Sequence, residues 1–161
     1  MGLPVIVYGA GGLGREVMQI ARAALDPGEY HALGYADDGV SAGTVLNGYP
    51  VLGGGEYLEN TNENIALVLG IADPEIKAGI FRRFKGKNNI TFPNVIHPSA
   101  LISEYAALRR GVVAAQGSLI SVDAVLGDCV FINYGATIGH DVRISGFSSV
   151  MPLTAISGWV K

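Results

Sequence analysis

The stretch Ile132-Asn133-Tyr134-Gly135-Ala136-Thr137, followed by Ile138-Gly139-His140-Asp141-Val142-Arg143, carries the pattern that decides the fold. An aliphatic residue opens each group of six, and a small residue or a valine stands at the fifth place. Outward from these two hexads, the same phase holds from Ile96 to Lys161 without an insertion. The first positions are branched aliphatics with one alanine: Ile96, Ile102, Leu108, Ala114, Ile120, Leu126, Ile132, Ile138, Ile144, Val150 and Ile156. So strict a period of six predicts a β-helix of hexapeptide repeats.

The hexad pattern resembles that of left-handed parallel β-helices, in which three hexads make one triangular coil of about 18 residues. In such a coil each hexad supplies a flat strand and a corner. The first-position side chain points inward and stacks on its equivalent in the next coil, and the fifth position is small because it lies inside near a corner. An α-helix is excluded, because a period of six does not keep one apolar face at 3.6 residues per turn. We therefore predict a left-handed parallel β-helix over residues 95–161.

The N-terminal part, residues 1–94, shows a different pattern. An apolar, β-branched run from Val5 to Tyr8 precedes the glycine-rich segment from Gly9 to Gly14, and Arg15 to Leu25 has helical spacing. Strand, glycine loop and helix form the first unit of a Rossmann-like fold. Residues 31–36 and 65–70 read as two further strands, the second apolar throughout, as expected of a buried parallel strand. These features predict a small parallel α/β sheet.

Three loops follow the carboxyl ends of the predicted strands, where open α/β sheets bind their ligands. Glycines let the chain approach a ligand closely, and a helix N-terminus offers N–H groups to a phosphate. An acidic residue after the second strand suits a ribose hydroxyl or the edge of a base, although Asp37-Asp38-Gly39 also reads as an ordinary polar turn. The candidate substrate-binding residues are Gly9, Gly11, Gly12, Leu13, Gly14, Asp37, Asp38, Gly70, Ile71 and Asp73.

Asp73 and Pro74 also have the residue types of a helix start, with Asp73 as the N-cap and Pro74 as the first helical residue. The spacing predicts a helix that runs to about Phe84. We expect Ile76, Ile80 and Phe81 to lie on one face of this helix.

The composition narrows the choice of function. A formal net charge of −3 provides no basic footprint, so nucleic acid is not an expected partner. No run approaches the roughly 18 apolar residues of a membrane span, and the N-terminus lacks the basic region of a secretory signal. Cys129 is the only cysteine and cannot form an intrachain disulfide. We expect a cytoplasmic protein that does not bind a membrane.

The whole chain resembles the bacterial sugar acyltransferases typified by sialic acid O-acetyltransferases and UDP-4-amino-sugar N-acetyltransferases. The resemblance rests on short motifs in both parts of the chain. They are Tyr8-Gly9-Ala10-Gly11-Gly12-Leu13-Gly14-Arg15-Glu16, Asp37-Asp38, Gly70-Ile71-Ala72-Asp73, Ile96-His97-Pro98-Ser99-Ala100, Ile132-Asn133-Tyr134-Gly135-Ala136 and Ile138-Gly139-His140-Asp141.

The resemblance implies that the N-terminal domain holds a nucleotide sugar. It also implies that the β-helix forms a homotrimer, and that acetyl-coenzyme A lies between neighbouring β-helices as co-substrate, near Asn133 and Gly139. His140 would be the general base and Asp141 would orient it, a task that suits a histidine because its pKa lies near neutrality. Acetyl transfer would be direct, with no covalent enzyme intermediate and no metal ion. The acceptor would be the amine of a UDP-linked 4-amino sugar or a hydroxyl of a sialic-acid-type sugar.

Two departures from the family pattern affect these expectations. Leu13 stands where the family often has a histidine, so any substrate contact made by that histidine is lost. The repeat reaches Lys161 in phase and without a cap, whereas a solenoid needs terminal caps. We therefore expect the β-helix to be truncated, and acetyl-coenzyme A to bind poorly to the 161-residue form.

Two other classes of function remain open from the sequence. The loop at Gly9 to Gly14, with Asp37 or Asp38, would also suit an NAD-linked oxidoreductase, although the small domain lacks the second half of a dinucleotide fold. A non-catalytic trimerising scaffold would use the β-helix alone, but it leaves His140-Asp141 without a role.

Overall fold

The computed structural model describes residues 2–161. Its N-terminal half is a six-stranded sheet in the order β3-β4-β2-β1-β5-β6. All neighbouring pairs are parallel except the hairpin of β3 and β4. The strands are β1 Leu3–Tyr8, β2 Tyr30–Ala36, β3 Val45–Leu46, β4 Tyr49–Gly53, β5 Ile65–Leu69 and β6 Ile90–Thr91. The three strands predicted from the sequence are present as β1, β2 and β5.

Helices cover both faces of this sheet: α1 Gly12–Ala24, α2 Gly55–Asn60 and α3 Pro74–Phe84. One core lies between α1 and the sheet face that carries Val5, Val7 and Tyr35. Leu58 of α2 and Phe84 of α3 belong to a second core, on the opposite face. Helix α1 begins at Gly12 and not at Arg15, so the end of the glycine loop forms the first turn of the helix.

Helix α3 begins as the sequence predicts and carries a buried lysine. Asp73 caps the helix as expected, because its Oδ1 accepts hydrogen bonds from the N–H groups of Glu75 and Ile76. Ile76 lines the same cleft as Ile80 but is 54% exposed, whereas Lys77, a charged residue, is 1% exposed. Lys77 is buried because the face of α3 that carries it packs on the second half of the molecule.

The second half is the predicted left-handed parallel β-helix, built of two-residue strands. They are β7 Val95–Ile96, β8 Leu101–Ile102, β9 Ala107–Leu108, β10 Val113–Ala114, β11 Leu119–Ile120, β12 Val125–Leu126, β13 Phe131–Ile132, β14 Thr137–Ile138, β15 Arg143–Ile144, β16 Ser149–Val150 and β17 Ala155–Ile156. The first face contains β7, β10, β13 and β16, the second β8, β11, β14 and β17, and the third β9, β12 and β15. Each strand pairs in parallel with its equivalent in the next coil, as Ala114 does with Ile132.

The interior of the β-helix confirms the predicted inward orientation of the first and fifth residues of each hexad. All first-position residues, from Ile96 to Ile156, belong to one apolar cluster. Fifth-position residues such as Val112, Ala124 and Val142 fill the space near the corners and are fully buried. Stacking along the prism buries a continuous apolar column, which stabilises each coil through its neighbours.

The corners of the β-helix have a feature that the hexad pattern did not predict. The fourth residue of each hexad from Gly111 onward has a positive φ, in the left-handed region. Glycine adopts such angles freely, but here most of these corners carry other residues. They are Asp123, Cys129, Asp141, Phe147, Leu153 and Trp159, with φ between 54° and 67°. Bulky side chains in this region are uncommon, and such positions merit a search for a function.

The two halves pack closely together. Val17 and Met18 of α1 share an apolar core with Val95, Val113 and Phe131, whose side chains point outward from the first face. Helix α3 lies against the corner between the third and first faces. Lys77 Nζ there donates hydrogen bonds to the carbonyl oxygens of Cys129 and Ser148 and to Ser149 Oγ. Loss of solvent around this amine lowers the pKa of Lys77 from 10.5 to about 8.

Candidate active site

A cleft of about 440 Å³ opens at the carboxyl ends of the parallel strands in the N-terminal half. The glycine loop, the acidic pair and the loop after β5 meet there, as the sequence predicted. The lining residues are Tyr8, Gly9, Gly11, Gly12, Leu13, Asp37, Asp38, Gly39, Gly70, Ile71, Ile76 and Ile80. Eight of the ten candidate substrate-binding residues are among them, and Gly14 and Asp73 are not.

The glycines of the loop divide into two kinds. A Cβ on Gly14 would lie 1.9 Å from the carbonyl oxygen of Gly9, so only glycine lets the helix pack this closely on the loop. A Cβ on Gly11 or Gly12 would have no atom within 4 Å. Because these two residues line the cleft, their lack of a side chain leaves room for a ligand. No side chain caps the N-terminus of α1, so its first N–H groups are available to an anion.

Asp37 holds the glycine loop in place. Its Oδ2 accepts a hydrogen bond from the N–H of Ala10 at 2.7 Å, and its Oδ1 accepts one from the N–H of Gly39 at 2.8 Å. The carboxylate thus connects the end of β2 to the middle of the glycine loop. Each carboxylate oxygen can accept a second hydrogen bond, so a ligand hydroxyl can still bind Asp37.

Asp38 performs a similar task on the other side of the cleft. Its Oδ2 accepts a hydrogen bond from the Tyr8 hydroxyl at 2.5 Å, and its Oδ1 accepts one from the N–H of Gly55 at the start of α2. The bond from Tyr8, and then that from Gly55, hold the pKa of Asp38 below its usual value. Burial and the same bond to Asp38 raise the pKa of Tyr8. Asp38 is therefore a fixed negative charge beside a neutral phenol.

Four lining residues were not predicted from the sequence. Tyr8 and Gly39 directly adjoin predicted site residues in the chain, so extending each motif by one residue would have found them. Ile76 and Ile80 lie one turn apart on α3 and form an apolar wall of the cleft. Ile76 is exposed because its side chain faces the open cleft. Asp73 caps α3 beyond the lining, and Gly14 lies beneath the loop.

The second candidate region is the pair His140 and Asp141, on a corner of the β-helix. Nδ1 of His140 lies 2.9 Å from Oδ2 of Asp141, and the side chains are 52% and 32% exposed. A carboxylate only accepts hydrogen bonds, so Nδ1 is the donor, and in the neutral imidazole Nε2 then carries the free lone pair. A Cβ on Gly158, one coil later, would lie 2.6 Å from Nε2, so the ring rests directly on the Gly158 backbone. Such a pair can take up and return a proton at Nε2.

The two predicted cofactor-binding residues lie on different corners. Gly139 adjoins His140, between the second and third faces. Asn133 lies between the first and second faces and is only 7% exposed. Its Oδ1 accepts a hydrogen bond from the N–H of Tyr134, a residue that packs on the core beneath α1. Asn133 and Gly139 are therefore not neighbours on one corner of the same chain.

Within one chain, the His140–Asp141 pair and the cleft are also separate. His140 is not among the residues that line the cleft. Helix α3 forms one wall of the cleft and packs on the corner between the third and first faces. At that corner, Ser149 Oγ donates a hydrogen bond to the carbonyl oxygen of Ala72. His140 lies on the corner between the second and third faces.

Cys129 does not have the properties of a nucleophile. The thiol is 2% exposed beneath α3, and burial raises its pKa to about 12. The thiolate is the reactive form of cysteine, so this side chain is inert near neutral pH.

A cleft at the strand ends of a Rossmann-like domain, joined to a hexapeptide β-helix with an exposed His–Asp pair, defines a hexapeptide-repeat acyltransferase. The chain belongs to the bacterial sugar acetyltransferase family that contains the PglD N-terminal domain, whose model matches residues 4–84. No curated protein sequence matches the chain. Among residues 2–161, no helix has both the length and the apolar character required to cross a membrane.

Several solved structures resemble the chain over most of its length. The acetyltransferase domain of PglB from Neisseria gonorrhoeae FA1090 is 28% identical, with a TM-score of 0.84, over 92% of this chain and 71% of that one. A perosamine N-acetyltransferase from Caulobacter crescentus, solved as a histidine variant with CoA and GDP-perosamine, is 28% identical, with a TM-score of 0.84, over 96% and 71%. WeeI from Acinetobacter baumannii AYE shares the fold, at 23% identity and a TM-score of 0.83, over 97% and 73%.

Proposed function

We propose that the chain transfers an acetyl group from acetyl-coenzyme A to the amine of a nucleotide-linked amino sugar, with His140 as general base. The observation that carries this proposal is the 2.9 Å contact between His140 Nδ1 and Asp141 Oδ2 on an exposed corner of the β-helix. The PglB domain has been solved with acetyl coenzyme A, and the perosamine N-acetyltransferase with CoA and GDP-perosamine. These neighbours support an acetyl-coenzyme A-dependent reaction on an amino sugar.

In the proposed reaction, His140 Nε2 takes a proton from the sugar amine as the amine nitrogen bonds to the thioester carbonyl carbon. Asp141 accepts the hydrogen bond from Nδ1 and stabilises the positive charge that His140 then carries. The carbon–sulfur bond breaks, and His140 returns its proton to the sulfur. The products are the N-acetylated sugar and the free thiol of coenzyme A. No cysteine takes part, in keeping with the burial of Cys129.

We also propose that the N-terminal cleft binds the nucleotide portion of the sugar substrate. The N-terminus of α1 and the open space beside Gly11 and Gly12 suit the diphosphate. Asp37 and Asp38 retain acceptor capacity for hydroxyl groups of the ribose or for the edge of the base. Leu13 lines the same cleft with an apolar side chain.

A homotrimer would bring the His140–Asp141 pair of one copy close to the N-terminal cleft of another. The outward side chains of the second face and its corners include Leu101, Leu119, Val122 and Leu153, which are 67%, 38%, 42% and 82% exposed. Burial of such an apolar column against another copy is favourable. Because His140 lies on the far side of the β-helix from the cleft of its own chain, we propose that the cleft of a neighbouring copy delivers the sugar. Gly139 would then face the co-substrate in the groove between copies.

The test compares wild type with His140→Ala and His140→Asn. Release of the coenzyme A thiol is followed with a UDP-linked 4-amino sugar and, separately, with GDP-perosamine. Removal of a general base lowers kcat by about 10² to 10⁴-fold, so both variants should lose nearly all activity while their circular dichroism and melting temperature stay unchanged. Folded variants that keep full activity would refute the role of His140.

Calorimetry with UDP, and with NAD as control, tests the cleft. Binding of NAD alone would refute the assignment of the cleft to a nucleotide sugar.

A further inference from the structure

Trp159 lies directly beside His140, one coil later in the β-helix. The two rings meet edge to face, with centroids 6.1 Å apart and planes at 87°. The backbone N–H of Trp159 also donates a hydrogen bond to the carbonyl oxygen of His140 at 3.1 Å. The indole therefore forms one side of the space around the proposed base.

Trp159 has the left-handed backbone that the fourth residue of each hexad from Gly111 onward shares. Its φ is +66°, in the left-handed region that glycine and asparagine adopt most readily. Among residues 2–161 its side chain is 69% exposed, similar to the 66% of Tyr105, which lies on the same corner and is followed by further coils.

The surroundings of His140 indicate what the indole can contact. Asp141 occupies Nδ1, and the Gly158 backbone lies against one side of the imidazole ring. Trp159 bounds a second side. A sugar whose amine reaches Nε2 has its ring only a few ångströms away, within reach of the indole. Pyranose rings present flat faces of C–H groups, which pack well on a large aromatic surface. The flexible arm of coenzyme A has no such face.

We propose that Trp159 is a specificity-determining residue whose indole packs against the acceptor sugar and holds the amine at His140 Nε2. This proposal rests on the proposed function, because it takes His140 as the base. It adds that sugar recognition is shared: the cleft binds the nucleotide, and the β-helix corner binds the sugar ring.

The kinetic test uses Trp159→Asn, which suits the left-handed backbone, and Trp159→Phe, which restores an aromatic ring. Trp159→Asn should raise the KM for the nucleotide amino sugar by about tenfold and leave the KM for acetyl-coenzyme A within about twofold. Trp159→Phe should recover most of the loss. Tyr105→Asn is the matched control, because Tyr105 is another exposed aromatic on the same corner, at 66%. A rise in the KM for acetyl-coenzyme A alone, or no change, would overturn the proposal.

A binding test separates this proposal from the proposed function. Trp159 is the only tryptophan of the chain, so its fluorescence reports on this corner alone. Addition of a UDP-linked 4-amino sugar or GDP-perosamine should change the emission of wild type and of His140→Ala, whereas UDP alone should not. If no acetyl transfer occurs but the emission changes, the proposed function fails and the sugar contact stands. Unchanged emission with both sugars, or dissociation of Trp159→Asn oligomers in light scattering, would overturn the sugar contact.

Discussion

Lys77 donates a hydrogen bond from Nζ to Ser149 Oγ at 2.8 Å, and this contact connects α3 to the β-helix. Ser149 Oγ passes a hydrogen bond on to the carbonyl oxygen of Ala72, also at 2.8 Å. Ala72 follows Gly70 and Ile71, which line the cleft. A buried cation, a hydroxyl and a backbone carbonyl therefore fix the cleft wall relative to the coils. No carboxylate among residues 2–161 forms an ion pair with this amine.

Lys77 should make the stability of the protein rise with pH. Its pKa is about 8 in the folded chain and near 10.5 once unfolding exposes it. Between these values the unfolded chain binds more protons, so raising the pH favours the folded state by a total of about 3 kcal/mol. Lys77→Met removes this contribution. The difference in unfolding free energy, wild type minus Lys77→Met, should therefore increase from about pH 8 to about pH 10.5.

Urea unfolding followed by circular dichroism at a series of pH values measures this difference. Subtracting the values of the variant largely removes the contributions of other titrating groups to the pH dependence. One of these groups is Cys129, whose raised pKa lowers the stability of the folded state as the pH rises. A difference that stays constant across the interval would show that Lys77 titrates normally.

Gly14 and Gly12 should respond differently to the same substitution. Gly14→Ala would place a Cβ 1.9 Å from the Gly9 carbonyl oxygen and should lower the unfolding free energy by about 3 kcal/mol or more. Gly12→Ala meets no atom within 4 Å, so the melting temperature should stay within a few degrees. Because Gly12 lines the cleft, its added methyl group should weaken UDP binding in calorimetry. Equal loss of stability in both variants would contradict the distinction.

The sequence predicted those parts of the fold that depend on local periodicity. Ile96 and Ile132 lie inside because every sixth residue of a flat-sided coil points to the axis. Gly9 and Asp37 line the cleft because the carboxyl ends of parallel strands share one edge. The burial of Lys77 depends on how two separately patterned halves pack, and no local pattern encodes that contact. The edge contact of Trp159 likewise depends on the stacking of successive coils.

Cys129 should be chemically silent in the folded protein. Its thiol is buried under α3 with a pKa of about 12, so an aromatic disulfide reagent at about pH 8 should label it only after denaturation. Cys129→Ala leaves a small cavity, which should cost about 1 kcal/mol of stability, and kcat should stay within about twofold. Labelling of the native protein at the rate of the unfolded chain, or loss of acetyl transfer in a folded Cys129→Ala, would indicate that the thiol has a chemical role.

Gly158→Ala should reduce activity with little effect on folding. The new methyl group would lie 2.6 Å from Cε1 and Nε2 of His140, and the exposed imidazole can move away from it. Movement of the ring disturbs the contact with Asp141 and displaces Nε2, and an error of about 1 Å at a reacting atom costs about 10²-fold in rate. Gly146→Ala is the matched control, because Gly146 is also the third residue of a hexad and its Cβ would meet nothing closer than 3.3 Å. Steady-state kinetics should show a fall in kcat for Gly158→Ala alone, with similar melting temperatures for both variants. Full activity in Gly158→Ala would mean that the ring position seen here does not control proton transfer.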